Sequence, residues 1–329
     1  MIALFSYRTY RPYFHLRVSS LLLSALMLSV SVAWTQTSEP KIASSPARIA
    51  RDMELIRIAE QEHRAQAERG DLWTQVGLEY QYAADFLKAE DAYNKSLHLL
   101  KTAPSARGEY ATTLECLEAL YLIYGRLDDA ESVGKQALAV RKKLGNPSGA
   151  GLSQIHLANI AIARRQYKKA ERIALRGMED MESSSNPPRV GMLTGFITIT
   201  YARCLRGDCG EALMSAQQGV AFANRHFEPE SAAVGFALEA LGFAEWKSGP
   251  VEDGEKAMQH GIQILRTKLA PADPRLAGAL LQYHDYLIAT SRRVEAQVIH
   301  AEVERMTSQS GTFCPACTVN VYSLSKTLR

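Results

Sequence analysis

Proline is scarce in this chain of 329 residues, which holds only 12, and glycine is held to 21. Both are too few and too scattered for a collagenous or linker-like chain. Charge of one sign is also missing: 38 Lys and Arg face 35 Asp and Glu, a formal +3. Residues 1–33 contain Arg8, Arg11 and Arg17 and no acid, so the remainder balances at 35 of each sign. No basic excess is left to argue for nucleic acid, which needs a concentrated basic face. No long apolar run occurs after residue 33, so no further membrane span is expected. Cysteine is limited to Cys116, Cys204, Cys209, Cys314 and Cys317, an odd set that leaves at least one thiol unpaired in a monomer. The composition of 47% apolar and 22% charged residues suits a folded protein.

The first 17 residues carry only positive charge, and residues 18–33 read VSSLLLSALMLSVSVA with no charge. Ser31 and Ala33 are small residues two apart. This layout predicts a secretory signal cleaved after Ala33 and an exported, periplasmic or extracellular protein. The rival is an uncleaved N-terminal anchor, the one way membrane contact would arise. Residues 34–46 are polar, contain two prolines and read as a linker. Ser45-Pro46 then starts a helix expected from Ala47 to about Arg69, stopped by Gly70 and capping the end of the main body of the chain.

The body repeats. Alanine or glycine recurs just after a turn signal at Ala89, Ala130, Ala170, Ala212, Gly254 and Ala296, at intervals of 41, 40, 42, 42 and 42. Each landmark lies between two helical patterns, as in a solenoid of helical hairpins. Such hairpins bury their apolar faces only by stacking. Small residues also recur within the first helices, at Gly77, Ala158 and Gly242, and along the second, at Ser96, Ala137, Gly177, Gly219 and Gly261. Glycine inside a helix costs about 0.5–1 kcal/mol relative to alanine, so matched glycines point to close helix packing. Trp73, Tyr80, Phe86, Tyr93, Tyr121, Leu127 and Tyr167 supply the bulk between them.

With Trp73, Gly77, Tyr80, Ala89, Tyr93, Ser96 and Pro104, the first unit resembles the tetratricopeptide repeat family. Leu241-Gly242, Gly249 and Gly254 repeat part of the motif; Glu118 and His284 depart from it, standing where the family has a small residue. The intervals exceed the usual 34-residue repeat and are similar to kinesin-light-chain spacing, in the general layout of an exported bacterial protein. The resemblance implies an all-α, right-handed α-α superhelical solenoid: a capping helix and six repeats over residues 47–310, then a tail over 311–329. It further implies that the first helices line a concave face. Carrying the family's inward positions onto this sequence gives a candidate peptide-binding groove of Tyr82, Leu122, Ile155, Asn159, Tyr201, Phe243, Trp246 and Asp285. Aromatic anchors with sparse polar partners suit a protein or peptide ligand. Asn159 and Lys247 alone do not make the basic cluster that grips a terminal carboxylate. Serine at Tyr201, Phe243 and Trp246 is expected to abolish partner capture.

Chemistry is mostly missing. Cys204 and Cys209 flank a turn and are a candidate disulfide. Cys314-Pro-Ala-Cys317 has redox spacing, but no strand or helix pattern around it, and reads as a local disulfide or inert pair. Zinc would need a second such pair. His300 with Glu304, and His284 beside Asp285, supply no nucleophile with an oriented base. No glycine-rich phosphate loop and no αβ alternation occur. Arg164-Arg165 and Lys168-Lys169 read as a solvated cap on a turn. The expectation is a non-enzymatic interaction scaffold without cofactor or metal, binding a partly apolar segment. The alternatives are a structural part of an envelope or secretion assembly, and a thiol-redox accessory using Cys314 and Cys317.

Overall fold

A computed structural model of the protein describes residues 45–308, except 84, 250, 270 and 272. The described residues form thirteen α-helices and one short 3-10 turn, with no strand. Helix α1 spans Ser45–Gln61. Six antiparallel hairpins come after it: α2 (Gln66–Tyr82) with α3 (Phe86–Lys101), α4 (Arg107–Ile123) with α5 (Leu127–Lys143), and α6 (Pro147–Ala163) with α7 (Tyr167–Glu182). The series continues with α8 (Arg189–Arg206) and α9 (Cys209–His226), α10 (Ala232–Ser248) and α11 (Val251–Lys268), and α12 (Pro274–Ala289) and α13 (Arg293–Ser308). Each hairpin packs on the next, and α1 packs on α2. The fold is an all-α solenoid of stacked helical hairpins.

Local chemistry sets the ends of these helices. Asn146 accepts from the Gly149 amide at 2.8 Å and Pro147 takes the first position of α6, where its missing N–H costs nothing. Asp85, Ser231 and Asp273 cap α3, α10 and α12 in the same way. The turns inside hairpins two to six each place one residue in the left-handed region: Gly125, Arg165, Gly207, Gly249 and Ser291.

The repeating small residues lie in the seams. Ala89, Ala130, Ala170, Ala212 and Ala296 are wholly buried. A Cβ on Gly151 would meet the Gly177 carbonyl at 2.3 Å, and one on Gly242 would meet the Gly254 carbonyl at 2.6 Å. Elsewhere a missing side chain makes room for a large one. A Cβ on Gly77 would fall 2.4 Å from the Tyr93 ring, and one on Gly134 would fall 2.7 Å from the Glu118 carboxyl carbon. Glu118 therefore fits at a small-residue position because its partner helix gives up the volume.

One boundary differs from the sequence reading. A single helix over Ala47 to Arg69 does not form. Helix α1 ends at Gln61, His63 turns left-handed at φ 51°, and α2 starts at Gln66. Gly70 lies inside α2, where a Cβ would come within 2.6 Å of Leu100. It is a packing glycine, not a stop. The linker, the signal segment and the CPAC tail lie outside the described residues.

Candidate functional site

The first helices of the hairpins form the inner layer. Helices α4, α6 and α8 are buried over most of their circumference, whereas the second helices keep an exposed polar side. Polar side chains join each inner helix to the next. Thr74 and Thr113 share a 2.8 Å hydroxyl contact. Ser153 donates to Glu115 at 2.6 Å, and Glu115 also takes Nη2 of Arg141 at 2.9 Å. His156 Nδ1 lies 3.4 Å from Glu118. Thr198 donates to Asn159 at 3.0 Å. Tyr201 donates to Glu239 at 2.6 Å and reaches Gln282 at 3.1 Å, tying α8, α10 and α12 together. These groups are all buried, so each rung replaces water that was lost on folding. Two side-chain amides of this layer keep an unmatched donor: Gln81 Nε2 and Asn159 Nδ2 have no acceptor among the described residues.

The last hairpin touches the first. The Arg275 guanidinium stands 5.1 Å above the Tyr82 ring, at the start of α12 and the end of α2. Asp273 holds Arg275 through Nε at 3.0 Å and Nη2 at 2.7 Å. Both ends of this ion pair are buried. Burial raises the Tyr82 hydroxyl above its ordinary value, with Arg275 pulling the other way. This contact brings the two ends of the inner layer together.

Burial corrects the expected groove. Leu122, Ile155, Asn159, Tyr201 and Phe243 are at most 2% exposed and belong to the core. Tyr201, Phe243, Trp246 and Tyr286 form a relay of rings with centroids 5.2–5.9 Å apart. Serine at Tyr201 and Phe243 would thus damage packing before it tested a surface. Tyr82, Trp246 and Asp285 keep partial exposure. Trp246 forms an accessible rim with Lys247, whose ammonium sits 3.5 Å over the indole ring. Burial lowers the Lys247 pKa, opposed by Cys204 and Asp285.

Sequence reading missed the polar rungs. Their signal was a polar pair recurring 38 or 39 residues apart on successive first helices, obscured by the apolar residues around it.

Among the described residues no disulfide is formed: Cys116, Cys204 and Cys209 are unbridged, and Cys209 Sγ donates to the Cys204 carbonyl at 3.4 Å. Cys314 and Cys317 lie outside the described residues. Burial pushes the Cys116 thiol to about 12 and raises Cys204 as well, so neither is a ready thiolate. His284 stacks near His300 with centroids 5.6 Å apart and lies 3.3 Å from Asp285. Among the described residues no cluster of metal-ligating side chains occurs, and no helix is long and apolar enough to cross a membrane.

No family model matches this sequence, and no curated protein matches it. Solved structures do. The apo form of RapI is 12% identical with a TM-score of 0.62, covering 79% of this chain and 92% of that one. Aspartyl phosphate phosphatase F from Bacillus subtilis is 16% identical with a TM-score of 0.63, covering 82% and 70%. NprR in complex with its cognate peptide NprX is 15% identical with a TM-score of 0.55, covering 94% and 82%. At such identities the likeness is one of fold, and the chain shares with these structures the tetratricopeptide-like architecture of stacked helical hairpins.

Proposed function

We propose that this protein is a helical-repeat scaffold that does no chemistry of its own and holds a partly apolar protein or peptide segment against its inner helices. The observation that carries this reading is the accessible rim on the inner helices, where Trp246 and Asp285 keep partial exposure and the Lys247 ammonium sits 3.5 Å over the indole ring. The rim of Trp246, Lys247 and Asp285 supplies an aromatic face and both signs of charge where such a segment could first engage. Fold relatives such as NprR in complex with its cognate peptide support the reading by architecture alone. The same proposal places the chain beyond the membrane after loss of residues 1–33, so the mature mass should begin at Trp34.

The test is a selection of binders from a displayed random-peptide library against the purified full chain. Trp246→Ala and Lys247→Ala should each weaken the selected peptides by about tenfold, the scale of one lost anchor contact. Peptides that bind both variants as tightly as the parent would contradict the inner-helix site.

A further inference from the structure

The repeat supplies its own control for the outer surface. Relative to Ala170, the outward positions of hairpin three hold Arg165, Lys168, Lys169, Arg172 and Arg176, all exposed. At the matching positions α5 holds Gly125, Asp128, Asp129, Ser132 and Gln136, with no cation. Helices α9 and α13 have none either. Where sibling helices do place a lysine there, an acid answers it, as Asp85 answers Lys88 at 2.6 Å and Asp91 answers Lys95 at 2.7 Å. The nearby acids of the neighbouring helices and Glu171 are already engaged: Arg164 holds Asp128 and Glu131, Lys135 also holds Glu131, and Arg203 and Arg206 hold Glu171, while the exposed Glu179 follows Arg176 at the far end of the stripe. Among the described residues Arg165, Lys168, Arg172 and Arg176 have no acidic partner within ion-pair distance. Folding needs these positions solvated, not basic.

Arg165 adds a second, independent observation. Its φ is 58°, in the left-handed region, at the turn position filled by glycine in hairpins two, four and five. A side chain with a Cβ is strained there. An arginine at this position works against the turn and adds to the stripe.

We infer that the outward face of α7 adsorbs the protein to an anionic lipid surface. Four of the five cations run along one side of α7 for about 12 Å, and Arg165 stands in the turn before it. Leu175, 40% exposed, stands among them between Arg172 and Arg176. A convex helix offers no walled pocket for the anchor side chains of a protein segment, but it meets a charged plane along its length. Each such cation near an anionic leaflet contributes about 1 kcal/mol, a little over a fivefold gain in partition. This contact lies on the opposite side of the hairpin from the inner helices and is independent of the ligand proposed there.

The test is co-sedimentation of the mature chain, beginning at Trp34, with phosphatidylcholine vesicles, with and without phosphatidylglycerol. Binding is expected to require phosphatidylglycerol and to fade between ~0.1 and ~0.5 M salt as the screening length shortens. Lys168→Gln with Arg172→Gln should weaken it roughly 30-fold with helicity unchanged. Arg165→Gly should weaken binding while raising the urea midpoint, a combination that a purely structural role would not give. Parent and variants all begin at Trp34, so the apolar run before it adds no vesicle binding and the comparison isolates the helix face. Equal binding to neutral vesicles, or no effect of the substitutions, overturns the inference. Capture of polyglutamate with no capture of anionic vesicles overturns it in favour of an acidic protein segment.

Discussion

Arg275 stands over Tyr82, its guanidinium carbon 5.1 Å from the ring centroid, and this contact joins the sixth hairpin to the first. A stacked guanidinium of this kind is worth about 0.5–2 kcal/mol. Tyr82→Ala is expected to lower stability by about that much and to speed amide exchange at the end of α2 and the start of α12, with α6 and α8 unchanged. Arg275→Ala should cost more, about 3–5 kcal/mol, because it leaves Asp273 buried without its partner. Asp273→Asn with Arg275→Met together should recover part of that loss. Urea denaturation of the three variants checks the order.

The glycine seams predict a graded series. Gly151→Ala drives a methyl group toward the Gly177 carbonyl, and Gly242→Ala does the same at Gly254. Each should destabilise by about 1–3 kcal/mol. Gly210→Ala meets nothing within 4 Å in α9 and should be neutral or stabilising by up to about 1 kcal/mol. Equal effects at the three sites would deny the close backbone approach.

Glu118 gives a pH signature. Burial lifts its carboxyl to about 7, with His156 pulling it down and Glu115 pushing it up. The folded form therefore holds a proton that the unfolded chain releases near 4.5. Stability from this group is complete below about pH 4.5 and is lost as pH rises toward 7, on the order of 3 kcal/mol in all. Glu118→Gln should remove that slope. Denaturation midpoints measured from pH 4.5 to 8 test it; an unchanged slope would mean that the buried carboxyl is ionised throughout.

The thiols predict an order of reaction. Cys209 is partly exposed, whereas Cys204 and Cys116 are buried with raised pKa values. Alkylation of the folded protein near pH 8, followed by peptide mapping, should mark Cys209 before either of the others. Early marking of Cys116 would contradict the packing around Tyr93.

The architecture could be read from the sequence because the seams demand a small residue at nearly fixed spacing, and Ala89, Ala130, Ala170 and Ala212 meet that demand without exception. The inner face could not. Helix α6, with Ile155, Leu157, Ile160 and Ile162 around its circumference, is apolar on every side, so no periodicity tells which residues face the neighbouring hairpin. The Tyr82–Arg275 contact lies further from local pattern still, since it depends on how far the whole stack curves. That is why Tyr201 and Phe243 could be placed on inner helices yet not recognised as core. The basic residues after Arg164 were visible, but only their geometry against sibling hairpins separates them from an ordinary solvated cap.

The claim that the inner helices hold a ligand is tested most directly by amide hydrogen exchange of the full chain with and without a selected peptide. The account predicts new protection along α10 and α12, centred near Trp246 and Asp285, with the second helices unaltered. Protection confined to the second helices, or no change under saturating peptide, would contradict it.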